Sequence, residues 1–300
     1  MNQNLTETGY YLKWYGRKII SKIYEVLARF IEIPKLKEMI TRVYHHRRID
    51  LENPEKLNEK ILWMEYHTDP SFRSQLTDKY EVRQYVAQKG YADNLTQLYG
   101  LYRKEDEIDF DQLPDRFVLK ATHGCDMNYV CPDKGKLNVS NVKKRVHLWL
   151  HTNLAYLSLE MHYLPIGRRI ICEEYLDTGE TGMTDYKFHC SDGKVRFILV
   201  CRNSGRTRYL NVFDTDWNPL HVLVGAEEIP LAPEKPSCLR EMIRMAEDLA
   251  AGMPFVRVDL YLVNDKIYFG ELTFTPATGV LFHFTDNFLL EQGKYCTVRE

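Results

Sequence analysis

The chain has 300 residues, 44% hydrophobic and 12% aromatic, and 40 Lys+Arg against 42 Asp+Glu give a formal net charge of -2. That length supports a full hydrophobic core and one catalytic unit with an N-terminal appendage, and the balanced charge excludes a global attraction to nucleic acid. The seven cysteines are odd in number and contain no CxxC pair, which argues against a disulfide framework or a structural zinc site and leads us to expect a cytoplasmic protein. No signal-peptide pattern and no run of eighteen apolar residues stands against that expectation.

From the N-terminus, residues 11 to 48 hold ten Lys/Arg against three Glu. Ile19, Ile20, Ile23, Val26, Leu27, Phe30 and Ile31 fall there at helical spacing. Such a stripe normally faces a core, so an ordinary docking helix is the expected reading. The alternative is a basic amphipathic helix, with Trp14 and nearby tyrosines, in peripheral contact with an anionic membrane at the inner face of the plasma membrane. Pro34 separates two helical stretches, and Asn53-Pro54 signals the N-cap and N1 of a helix through about His67. A further helix runs from Asp78-Lys79-Tyr80 to a C-cap at Gly90, ahead of the apolar segment Leu98 to Leu101.

Beyond that point the pattern is mixed α/β. Strand-like runs occur at 117–120, 169–172, 186–189 and 195–200, the last two joined by the turn signal Asp192-Gly193. Long helices are expected at about 141 to 159 and 237 to 251, the second with Ser237 as N-cap after a Pro-containing loop at 229–236.

The last two β-rich runs, Val256 to Val263 and Ile267 to Leu272, are joined by Asn264-Asp265-Lys266, a three-residue hairpin loop in the simplest register. That register pairs Asp259 with Glu271 and Arg257 with Thr273, and the period of two puts all four side chains on one face. Two carboxylates directly across a ladder repel unless positive charge lies between them. A cation such as Mg²⁺, taking hard oxygen ligands, meets that need; so does Arg257, as a plain ion pair.

Phe117-Val-Leu-Lys-Ala-Thr-His-Gly124, Asp185-Tyr-Lys-Phe188 and Phe269-Gly-Glu-Leu-Thr-Phe-Thr-Pro276, with Arg257-x-Asp259, resemble the ATP-grasp superfamily. They resemble most its members related to teichuronopeptide biosynthesis (TupA-like), found in bacterial polysaccharide gene sets. The resemblance runs from about Asn53 to about Phe282. It implies an α/β (α+β) fold of two α+β subdomains gripping ATP. Residues 1–75 would then be a mainly helical N-terminal region and 76–300 the ATP-grasp domain, hinged near 173–177.

Carried over by residue, Lys120 would grip ATP phosphate, with Thr122 to Asn128 as a flexible lid in which Cys125-Asp126 departs from the family's small residue and glycine. The backbone at Glu174 and Leu176 would read adenine, and Glu173 or Asp185 would bind ribose. Lys187 would contact phosphate or acceptor, or else pair with Asp185. Asp259, Glu271 and Thr273 would hold Mg²⁺, Thr273 standing where asparagine is usual, and Arg257 would face an oxyanion.

The implied reaction is ATP-dependent carboxylate-amine ligation through an acyl phosphate. Its partners would be a carboxylate-bearing sugar or glycan precursor and an amine such as an amino acid or amino sugar, and loops such as 202–208 are candidate acceptor contacts. One rival reading is a metal-dependent glycosyltransferase using Asp214-Thr215-Asp216, although Asp beside Asn218-Pro219 also commonly builds turns. Another keeps ATP binding with phosphotransfer only, or without catalysis. The sequence fixes no oligomeric state.

Overall fold

The computed structural model describes residues 7–179, 182–204, 207–225 and 233–298, without the side chains of 203, 204, 207 and 208. Five helices open the chain: α1 (Glu7–Leu27), α2 (Ile33–His45), α3 (Leu57–His67), α4 (Ser71–Thr77) and α5 (Val82–Gln88). Pro34 lies in the first turn of α2, where its missing N–H costs nothing. The helix expected with Asn53 as N-cap starts three residues later, with Lys56 in that place, because Glu59 reaches back to accept from the backbone N–H of Glu55 and Lys56.

The chain then divides into two compact units: residues 1–30, 70–85 and 95–177 form one, and 31–69, 86–94 and 178–300 the other. The expected division at 75 is therefore corrected, and the helical third is shared out. In the first unit Tyr10 and Trp14 of α1 enter a core with Phe117, Leu119 and Trp149; in the second, Leu57 and Ile61 of α3 pack with Phe284 and Leu289. Burial of those side chains decides the partition.

The first unit holds β1 (Leu98–Tyr102), β2 (Phe117–Ala121), β3 (Asn128–Cys131) and β4 (Ile170–Glu174). They form an antiparallel sheet in the order β1-β4-β2-β3. Between β3 and β4 the single long helix expected at 141–159 is two, α6 (Val139–Leu150) and α7 (Leu154–Ser158), the second restarting where the Asn153 side chain accepts from Ala155 N. Phe117, Leu119, Cys131, Ile170 and Cys172 are buried in the core. Val118, Lys120 and Glu173 alternate onto the other face.

The second unit holds β5 (Thr184–Ser191), β6 (Lys194–Ser204), β7 (Thr207–Phe213), α8 (Leu239–Ala250), β8 (Phe255–Val263), β9 (Lys266–Thr273) and α9 (Asp286–Gly293). Its antiparallel sheet runs β7-β6-β5-β8-β9. α8 begins after Cys238 rather than Ser237 and contacts β5, β6 and β8 through an apolar stripe that includes Met242, Met245 and Leu249. The opposite sheet face carries Phe197 and Leu199 into the core with α3 and α9. Farther along, that face becomes charged.

The β8/β9 hairpin reaches the expected pairing by an unexpected route. Its turn has two residues, Asn264 and Asp265, both at positive φ (51° and 57°), with Val263 paired to Lys266. A register shift between Asp259 and Leu260 then leaves Gly270 without a ladder partner, so that Asp259 still meets Glu271 and Arg257 meets Thr273. Without the bulge, Glu271 would point to the α8 side. A Cβ on Gly270 would lie 2.9 Å from the carbonyl oxygen of Asp259, which is why this position takes glycine.

Candidate functional site

In the second unit the sheet brings together Asp185 and Lys187 of β5, Arg257 and Asp259 of β8, and Glu271 and Thr273 of β9. Lys187 pairs across the ladder with Asp259, and Asp259 with Glu271. Lys187 and Asp259 are buried. Lys187 Nζ lies 2.5 Å from Asp259 Oδ2 and 3.5 Å from Asp185 Oδ2. Arg257 clamps Asp259 in a fork, Nε to Oδ1 at 2.6 Å and Nη2 to Oδ2 at 2.7 Å. The same Nη2 donates to Glu271 Oε1 at 3.2 Å and to Thr273 Oγ1 at 3.0 Å, and Thr273 donates to Glu271 at 3.0 Å.

Positive charge therefore does lie between the two carboxylates, supplied by Arg257. Both Asp259 oxygens already accept from this pair of cations, Oδ1 from Arg257 and Oδ2 from Arg257 and Lys187. Among the described residues no group of three or more His, Cys, Asp or Glu is arranged to hold a metal ion. The donor chemistry still suits a hard cation, because three carboxylates face two fixed cations and a hydroxyl lies beside Glu271. Glu271 and Asp185 are the partly exposed carboxylates, with side chains 33% and 26% accessible.

Electrostatics follows from this crowding. Burial pushes the Asp185 carboxyl above its usual range, and Asp259 and Glu271 add to the push against Lys187 and Arg257. Burial opposes the charge on Lys187, yet Asp259 and Asp185 overcome it and hold the ammonium above its ordinary value. Arg257 is likewise desolvated and likewise held charged, by Asp259 and Glu271. His189, opposite Arg257, is forced neutral by burial and by that guanidinium. Its ring stacks on Phe197 at 4.2 Å, Nδ1 lies 3.2 Å from the Lys187 carbonyl, and Nε2 has no hydrogen-bond partner among the described residues. Sequence reading passed over His189, whose alternation with Lys187 was the available signal.

The first unit gathers the other predicted residues. Lys120 Nζ lies 2.8 Å from Glu173 Oε2, while Glu173 Oε1 accepts from Arg83 at 2.7 Å and from Thr96 at 2.9 Å. Burial alone would raise the Glu173 carboxyl; Lys120 and Arg83 hold it below the usual range instead. Glu173 is thus an internal counter-ion, one oxygen accepting from Lys120 and the other from Arg83 and Thr96. Its neighbour Glu174 donates its N–H to the Gln97 carbonyl at 2.9 Å, so that backbone group is not open to adenine, and half-buried Leu176 follows the strand.

The 122–128 loop is anchored where it begins. Thr122 Oγ1 donates to the Gly167 carbonyl at 2.8 Å, and His123 Nε2 lies 3.0 Å from the Trp149 carbonyl. Thr122 and His123 are buried, and burial depresses the His123 imidazole to about 4. Exposure begins only at Cys125 and Asp126, and Asp126 adopts a positive φ of 60° and pairs with Arg17 at 2.8 Å. The expected lid is therefore short. Lys79, read from sequence only as the start of a helix, reaches this loop by donating to the Gly124 carbonyl at 2.9 Å.

The rival Asp-x-Asp segment serves a turn. Asp214 accepts from the backbone N–H of Asp216 and Asn218 at 2.9 and 2.8 Å and from the Asn218 side chain at 2.8 Å. Both its oxygens thus brace the turn at 214–218. Of the loop proposed at 202–208, residues 202–204 end β6 and 207–208 open β7, while 205, 206 and the side chains of 203, 204, 207 and 208 lie outside the described residues.

No curated protein matches the chain. Among solved structures, the D-alanine–D-alanine ligase of Bacillus anthracis complexed with ATP is 15% identical with a TM-score of 0.45, over 73% of this chain and 61% of that one. The Helicobacter pylori D-alanine–D-alanine ligase gives 12% identity and a TM-score of 0.41, over 74% and 61%. The L-amino acid ligase of Bacillus licheniformis gives 13% and 0.44, over 70% and 43%. The chain thus spans about three fifths of the length of the first two. A family model described as TupA-like ATPgrasp matches residues 59–296, which takes in both clusters and every predicted site residue, and the chain belongs to that family.

Proposed function

We propose that the protein is an ATP-using carboxylate-amine ligase that activates a carboxylate as an acyl phosphate, which an amine then attacks. The observation that carries this reading is the Arg257 fork on Asp259, shared with Glu271 and Thr273 on one sheet face. Bound Mg²⁺, held by Glu271 and Asp259, would supply neutralisation of the ATP phosphates. The chain's own part is electrostatic. Lys187 and Arg257 stay cationic despite burial, a fixed field suited to charge that develops on phosphoryl and acyl oxygens. Lys120 offers a point charge to phosphate, with Glu173 orienting it.

The family's TupA-like description, together with the resemblance to teichuronopeptide proteins, supports a uronic acid or related sugar carboxylate as electrophile and an amino acid or amino sugar as nucleophile. Such a reaction would decorate a bacterial surface polysaccharide from the cytoplasmic side. Among the described residues no helix is long and apolar enough to cross a membrane. The test is ADP formation by the purified protein, screened across uronic acids and amines. ADP that accumulates only when both are present, with formation of an amide, is the expected result. Equal ADP release without the amine would favour phosphotransfer, and UDP release from a UDP-sugar would favour the glycosyltransferase.

A further inference from the structure

α1 has two faces of opposite character. Tyr10, Trp14 and Ser21 are buried in the first unit, where Trp149 Nε1 donates to the Tyr10 hydroxyl at 2.7 Å and Ser21 donates to the Asn153 carbonyl at 2.8 Å. Away from them, Leu12, Tyr15, Ile19, Ile23 and Val26 are 67, 56, 62, 51 and 41% exposed, and Phe30, just past the helix, is 83% exposed. At about 100° per residue the five on the helix fall within an arc of about 80°, opposite the buried trio. The expectation that this stripe faces a core is corrected, and Trp14 belongs inside rather than on the outer face.

So continuous an apolar row marks an interaction surface. Two observations select its occupant. The first is straightness: Leu12 to Val26 is about four turns at 3.6 residues per turn, and the row keeps to one narrow arc, parallel to the helix axis, as a flat surface requires. A coiled-coil partner would instead need a repeat of about 3.5 residues. The second is charge. By the same helical spacing Lys18 and Lys22 lie along one border of the row and exposed Arg29 follows just past the helix, while Glu25, which pairs with Lys22 at 2.9 Å, is the only acid of α1 beyond its first turn.

An open groove beside that border is lined by Tyr11, Tyr15 and Lys18 and, from α6, by Lys143, Lys144 and His147. Its two acids are already engaged, Asp106 by Lys143 at 2.9 Å and Glu105 by His147 at 2.7 Å. Lys18 and Lys144 carry no ion pair among the described residues.

We infer that this face of α1 docks on an anionic lipid bilayer. The apolar row sinks to the boundary between headgroups and acyl chains, with Tyr15 and Phe30 near its ends, and Lys18, Lys22, Arg29 and Lys144 meet the lipid phosphates. This surface is independent of the ligase reading.

The test is sedimentation of the full chain with vesicles of phosphatidylcholine alone or with about 30% phosphatidylglycerol. Binding should be at least about tenfold stronger with the anionic lipid and should fall severalfold between about 0.05 and 0.5 M salt. Ile19→Ser with Ile23→Ser should abolish it while leaving circular dichroism and the urea midpoint unchanged, since both side chains already face water. Lys18→Gln with Lys144→Gln should weaken it severalfold. Absence of vesicle binding would overturn the inference. So would a dimer in light scattering that the Ile19→Ser/Ile23→Ser pair returns to monomer, which would assign the face to a second copy of the chain.

Discussion

Lys187 and Asp259 face each other across the β5/β8 ladder, Nζ 2.5 Å from Oδ2, both buried, with Arg257 closing the other side of the carboxylate. Two cations share one buried anion. Removing the anion is therefore worse than removing either cation. Asp259→Asn should cost about 3–5 kcal/mol in urea unfolding, because it leaves Lys187 and Arg257 without their shared partner. Lys187→Met leaves the Arg257 fork in place and should cost about 1–3 kcal/mol. The double variant should lose less than the sum of the singles. In an ADP assay each single variant should lower turnover at least about a hundredfold, well beyond its effect on folding.

Gly270 lets the β9 strand swallow one residue. Gly270→Val should destabilise by about 1–3 kcal/mol, since its Cβ would meet the Asp259 carbonyl and the Tyr261 ring. Deleting Gly270 removes the bulged residue and keeps Asp259 opposite Glu271, so the deletion should be milder than the valine variant. Paired denaturation curves decide it; a deletion as damaging as the valine would mean that the bulge does more than restore register.

His123 gives the first unit a specific acid sensitivity. Burial holds its imidazole neutral down to about 4, whereas the unfolded chain takes up the proton near 6.5. The unfolded state thus binds more protons between those values, so the stability His123 contributes is complete above 6.5 and is lost as pH falls toward about 4. His123→Gln should flatten unfolding free energy across that window. An unchanged slope would remove His123 as its source.

Asp214→Ala should lose about 1 kcal/mol as its turn loses three acceptor contacts, and Asp216→Ala about none. Neither should alter ADP formation. A large loss of turnover in Asp216→Ala with unchanged stability would revive a metal role for that segment.

Much of this was legible in sequence because alternation is local. The period of two in Val256 to Val263 and Ile267 to Leu272 named the strands and the face, and so the meeting of Arg257, Asp259, Glu271 and Thr273. The turn length was misread, and Gly270 made good the difference. β3 was not foreseen, since Asn128–Cys131 is short and polar at its start. Helical periodicity found the stripe of α1 but assigned it the wrong surroundings. A stripe records that a face is apolar and says nothing of what covers it.

The sequence by itself determined the family, the strand that carries Lys120, and the carboxylate hairpin, because each rests on neighbouring residues or a short repeat. Only tertiary structure decided which charge answers which. Arg83 and Thr96 lie 90 and 77 residues from Glu173, and Lys187 lies 72 residues from Asp259. Such partners are chosen by sheet order and burial, where an unpaired charge is too costly to leave, and no local pattern records that choice.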